Sequence, residues 1–105
     1  MPIFSYKWST RVTVAAGVTS DPIQAIGRCG KTGVVVNFPA GTGNCVVQYT
    51  IGPLDDSGAG VIWIQLVSVA AAAAPSYTAC PGPVTAIRVI GGATGSATVE
   101  VCSTD

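Results

Sequence analysis

The chain has 105 residues, 49% of them hydrophobic and only 10% charged, with five Lys and Arg balancing five Asp and Glu and no histidine. Such a length holds one domain with a single small core, and a charged fraction far below the usual value of about 25% leaves Ser, Thr, Gly and Ala to cover much of the surface. Lys7, Arg11, Arg28, Lys31 and Arg88 form no basic patch, which argues against nucleic acid as a direct ligand; the lack of histidine removes the usual catalytic pairs and makes a zinc site improbable.

In residues 1–8 an extended chain places Phe4, Tyr6 and Trp8 on one side. Three aromatic rings so close together are unfavourable in water. They pack on their own domain or form an N-terminal arm that docks on a neighbouring subunit, with residues 9–105 as the β domain. Arg11-Val12-Thr13-Val14-Ala15 alternates as a first strand, and Gly17 to Pro22 breaks it. The apolar run from Val12 to Gly17 is short and hydroxyl-containing, so no signal peptide is expected.

Ile23 to Ile26 reads as a short strand, followed by glycine-spaced residues around Cys29. Gly30-Lys31-Thr32 imitates a phosphate loop, but Ala25 stands where the first glycine is needed, and Val34-Val35-Val36 opposes the helix that must follow. Gly33 to Phe38 and Asn44 to Ile51 read as strands joined in a hairpin by Pro39 to Gly43, with Cys45, Val47, Tyr49 and Ile51 pointing inward. Gly52 to Gly60 is turn chemistry, and its neighbouring Asp55 and Asp56 diverge too much for a metal or acid/base pair.

Val61 to Val69 is dense in β-branched and aromatic residues and reads as a buried strand, covered at least partly on both sides. Its apolar run, continued to Ala74, is 14 residues long, against the roughly 20 of a membrane-spanning helix. Ala70 to Ala74 is a tight connection, and Ser76 to Gly82 leads into the last strands. Pro83 to Ile90 and Ser96 to Cys102 flank Gly91-Gly92-Ala93-Thr94-Gly95 as a second hairpin. Pairing Ile90 with Ser96 sets Arg88 across from Thr98 and diagonal to Glu100, and Val84 opposite Cys102. Cys80 then approaches Cys102, which favours a Cys80–Cys102 disulfide and leaves Cys29 with Cys45. Four buried free thiols are the alternative.

About seven short strands without an amphipathic helix indicate an all-β domain, an antiparallel β-sandwich or flattened barrel. No catalytic, metal or cofactor site is expected. A nearly uncharged surface at zero net charge favours assembly, although hydroxyl groups would also keep a lone extracellular domain soluble.

Val47-Gln48-Tyr49-Thr50, Asp55-Asp56, Trp63, Pro83 to Val89 and Gly95 to Val101 resemble segments of small virion structural proteins of tailed bacteriophages. The likeness spans residues 44–102. It implies a capsid decoration or cement protein on the virion surface, or a head-fibre type. The implied partners are the major capsid protein and further copies of the chain, as a homotrimer. The four cysteines and the apolar run after Asp56 depart from that pattern. A rival reading is a secreted, disulfide-bonded β module that binds carbohydrate or a surface protein through Trp8, Trp63 or Tyr77.

Overall fold

A computed structural model describes residues 7–24, 31–52, 54, 60–80 and 84–104. Among the described residues there are eight strands: β1 Lys7–Val14, β2 Ile23–Gln24, β3 Lys31–Asn37, β4 Asn44–Thr50, β5 Ile64–Ala70, β6 Ser76–Ala79, β7 Ala86–Gly91 and β8 Ala97–Thr104. They form two antiparallel four-stranded sheets, ordered β1-β8-β3-β6 and β2-β7-β4-β5. This order is the jelly roll, in which the chain passes repeatedly between the layers of a sandwich. A 3-10 turn, Ala71–Ala73, precedes a cis Ala74–Pro75 peptide bond.

Alternation builds the core. Ala97, Val99 and Val101 of β8, with Val34 and Val36 of β3 and Val14 of β1, form the inner face of the first sheet, each at most 2% exposed. Cys45, Val47, Val69, Ile87 and Val89 face them from the second sheet. Branched side chains suit a pleated surface, and each fully buried Val or Ile contributes about 1.5–3 kcal/mol. Phe38 closes the space between the layers just after β3.

Both expected hairpins are instead crossings between sheets. β7 pairs with β2 and β4, whereas β8 pairs with β1 and β3. Likewise β3 lies in one sheet and β4 in the other. Strand alternation specifies which face is buried but not which strand is the neighbour, and a five-residue glycine-rich loop can bridge layers about 10 Å apart. The expected neighbours of Arg88 are therefore wrong: it lies opposite Gln48, and Glu100 lies opposite Arg11.

Four inter-sheet connections are tied together at one end. Gly17 N–H donates to Gly92 O at 2.7 Å, Gly91 N–H to Val18 O at 2.7 Å, Gly92 N–H to Asn44 O at 2.9 Å and Ala71 N–H to Gly43 O at 2.9 Å. Gly95 has φ of 74°, and a Cβ there would strike the Thr42 carbonyl oxygen and lie 2.9 Å from Gly43 Cα. Only glycine lets the two loop backbones meet so closely.

Two strand readings also change. β5 starts at Ile64 rather than Val61 and is an edge strand, with Val69 its one buried residue. The register shift opposite Val47 and Gln48 brings both Leu66 and Val67 against the core, so the local period no longer separates two faces. In β4, Ile51 lies beyond the strand end and is 66% exposed, while Thr50 is buried.

Candidate binding surfaces

The outer face of the β1-β8-β3-β6 sheet carries ordered rows of side chains. Arg11, Glu100, Val35 and Tyr77 lie opposite one another across all four strands. On one side runs a row of small residues, Ser9, Cys102, Gly33 and Ala79; on the other run Thr13, Thr98 and Asn37. Arg11 Nε donates to Glu100 Oε1 at 2.8 Å, and Nη2 donates to the same oxygen. The Thr13 and Thr98 hydroxyls are 3.3 Å apart. Tyr77 is 67% exposed, yet its ring and hydroxyl lie over Gly33, 2.5 to 2.8 Å from where a Cβ would stand. The ring thus shields a backbone that has no side chain of its own.

The opposite sheet presents different chemistry. Gln65, Gln48 and Arg88 form a row across β5, β4 and β7. Arg88 Nε donates to Gln48 Oε1 at 2.7 Å, and its guanidinium sits 4.5 Å from the centre of the Trp63 ring. That is cation–π geometry on a half-buried surface. At the same end of the β4–β5 pair, Ile51, Ile62 and Ile64 are exposed. Ile64 lies opposite Tyr49, out of phase with the Gln65, Gln48 and Arg88 row, so the exposed isoleucines and the Trp63–Arg88 pair lie on different faces of the same end; Trp, Arg and apolar side chains are the types enriched at protein interfaces.

The residues expected to contact a capsid or subunit are only partly placed. Trp8 lies in edge strand β1, opposite Ser103; Phe4 and Tyr6 lie outside the described residues. Asp55, Asp56 and Cys29 lie outside them as well. Lys31 and Thr32 belong to strand β3, so the Gly-Lys-Thr run does not open a helix there.

The expected Cys80–Cys102 bridge is absent, since Cys45, Cys80 and Cys102 are free thiols. The hairpin register that motivated it does not exist. Cys102 shares the outward phase of Glu100 and Thr98 in β8 and lines a depression with Ser9, Arg11 and Glu100, whereas Cys80 packs against the core from the end of β6. β3 runs between their strands, with Gly33 opposite both Cys102 and Ala79. Cys45 is buried on the inner face of the other sheet. Burial pushes the Cys45 and Cys80 thiols above the ordinary thiol range, because a thiolate is poorly solvated there.

Among the described residues no three His, Cys, Asp or Glu side chains cluster as metal ligands, and no helix is long and apolar enough to cross a membrane.

No family model matches the sequence, and no curated protein matches it. Solved structures match the fold. An oxalate oxidase is 18% identical with a TM-score of 0.56, over 94% of this chain and 42% of its own. The Yersinia pseudotuberculosis-derived mitogen is 8% identical with a TM-score of 0.51, over 96% of this chain and 86% of its own. The PBSX exported protein XepA is 14% identical with a TM-score of 0.50, over 98% of this chain and 39% of its own. This chain therefore spans less than half of the oxalate oxidase and XepA chains. At these identities the likeness is one of architecture, and proteins of such different names show how many roles that architecture serves.

Proposed function

We propose that this protein is a structural component of a phage virion, a decoration or cement protein that binds the assembled capsid and reinforces it without catalysis. The observation that carries the reading is the apolar surface left exposed at one end of the β4–β5 pair by Ile51, Ile62 and Ile64, with the Trp63 ring and its stacked Arg88 on the neighbouring outer face. That composition suits docking onto another protein. The jelly roll is also an architecture of viral capsid domains, and the resemblance over residues 44–102 points the same way.

The physical role follows from linkage: a ligand that binds the lattice better than separate subunits stabilises the lattice. A sandwich whose crossings are interlocked at one end loses little conformational freedom on docking. Phe4, Tyr6 and Trp8 are the proposed arm that contacts the major capsid protein or a neighbouring copy, and the homotrimer is the assembly that the resemblance implies.

Cosedimentation of the purified chain with assembled capsids and with dissociated capsid subunits tests this. Retention on capsids and weaker binding to subunits is the expected result; equal binding, or none, overturns it. Removing residues 1–6 and replacing Trp8 by alanine takes away all three arm rings while keeping the β1 segment Lys7–Val14. Unchanged capsid binding by that truncated chain would refute the arm while leaving the β4–β5 surface as the contact.

A further inference from the structure

We propose that the outer face of the β1-β8-β3-β6 sheet is a carbohydrate platform for a neutral, flat chain of β-1,4-linked pyranose rings, with Tyr77 as its stacking residue. Tyr77 is two-thirds exposed and yet anchored, because its ring lies over Gly33. A ring held in this way offers its free face to solvent without having to be ordered when a ligand arrives. The apolar face of a pyranose, made of C–H groups, stacks on such a surface while its hydroxyls project sideways.

The neighbouring groups match those hydroxyls. From Tyr77 the row continues through Val35 to Glu100 and Arg11, a span of about 14 Å at the usual strand spacing, within reach of a short oligosaccharide. A depression of about 460 Å³ beside it is lined by Asn37, Thr98, Arg11 and Glu100, with Pro39 and Pro75 as further walls. That size lies within the range of small-ligand sites. Asn37 supplies both donor and acceptor groups, and Thr98 supplies a hydroxyl.

Charge selects among ligands. Arg11 and Glu100 neutralise each other in a direct ion pair, so the row offers hydrogen bonds without a net field. That favours a neutral polyol over phosphate or a charged peptide. Val35 and Tyr77 are the only large apolar side chains in the row, which leaves a protein partner little to bury. An extended β-1,4 chain suits the face because its rings form a ribbon, whereas an α-1,4 chain curls. The proposal stands apart from capsid binding, which uses the other sheet and the N-terminal segment, and either can fail alone.

The test is a titration of the isotope-labelled full chain with cellohexaose and chitohexaose, with maltohexaose for comparison, followed by backbone amide shifts. Saturable shifts at Gly33, Asn37 and Tyr77 with at least one β-1,4 hexaose, and smaller ones with maltohexaose, are expected. Tyr77→Ala should weaken binding about tenfold or more, and Tyr77→Phe should retain it. Because Tyr77→Ala also uncovers Gly33, Asn37→Ala at an exposed position gives a second reading, with an expected loss of about threefold to tenfold. No shifts with either β-1,4 hexaose overturns the proposal, as do shifts confined to the Trp63 face or wild-type affinity in both alanine variants.

Discussion

Replacing Gly95 by alanine tests the interlocked end of the sandwich, and Gly17→Ala is its internal control. Both glycines have nearly the same left-handed conformation, φ of 74° and 73°. At Gly17 a Cβ meets nothing within 4 Å, so the cost is conformational alone, about 1 kcal/mol. At Gly95 the same Cβ strikes the Thr42 carbonyl oxygen, with Thr42 C at 2.8 Å and Gly43 Cα at 2.9 Å. These are backbone atoms and cannot swing aside as a side-chain tip would. Forcing the loops apart adds about 1–3 kcal/mol, so Gly95→Ala should cost about 2–4 kcal/mol in all. Gly91→Ala supplies the contact at an ordinary φ, against the Ala15 carbonyl oxygen, and should fall between the two. Urea unfolding of the variants measures the differences as midpoint shifts at constant slope. In thermal melts each kcal/mol corresponds to roughly 4–8 °C for a domain near this size. If Gly95→Ala costs no more than Gly17→Ala, the loops do not touch in solution, and β7 and β8 regain the freedom to pair as a hairpin.

Other substitutions separate the core from the surface. Val99→Ala, in a central strand and fully buried, should lower stability by about 1.5–3 kcal/mol in the same unfolding assay. Glu100→Gln breaks an ion pair whose side chains are 68% and 39% exposed, and solvent screening should hold the loss to within about 1 kcal/mol. Of the three placed thiols, iodoacetamide should label half-buried Cys102 before Cys80, whose thiol is pushed up by burial, under native conditions, while fully buried Cys45 becomes reactive only on unfolding; peptide mapping by mass spectrometry reads the order. Because burial raises the folded-state pKa of Cys45 and Cys80, their contribution is complete below the unfolded thiol pKa, about 8.5, and declines as pH rises through the folded values. The urea midpoint should therefore fall above that pH, and the fall should be shallower in Cys45→Ala.

The all-β class was legible because alternation is local. Ala97, Val99 and Val101 announce a buried face, and the structure buries all three. Partnership was not legible, because a five-residue loop serves a hairpin or a crossing equally well. From that one ambiguity came the displaced neighbours of Arg88 and Glu100 and the expected Cys80–Cys102 bridge. In sequence β6 looks only like a lead-in, since a four-residue strand lying between two prolines carries little pattern, and β5 looks buried because its apolar density resembles a central strand. The surfaces were visible only in fragments. Trp63 and Tyr77 stood out as aromatic residues, but Arg88 over Trp63 and Gly33 beneath Tyr77 depend on contacts between strands distant in sequence.

Quantitative mass spectrometry of purified phage particles from the source tests the functional account most directly. A decoration or cement protein should be present in many copies, in a fixed ratio to the major capsid protein, and should remain through washing. Its absence from intact particles, or its presence only as a trace without fixed ratio, would contradict the account.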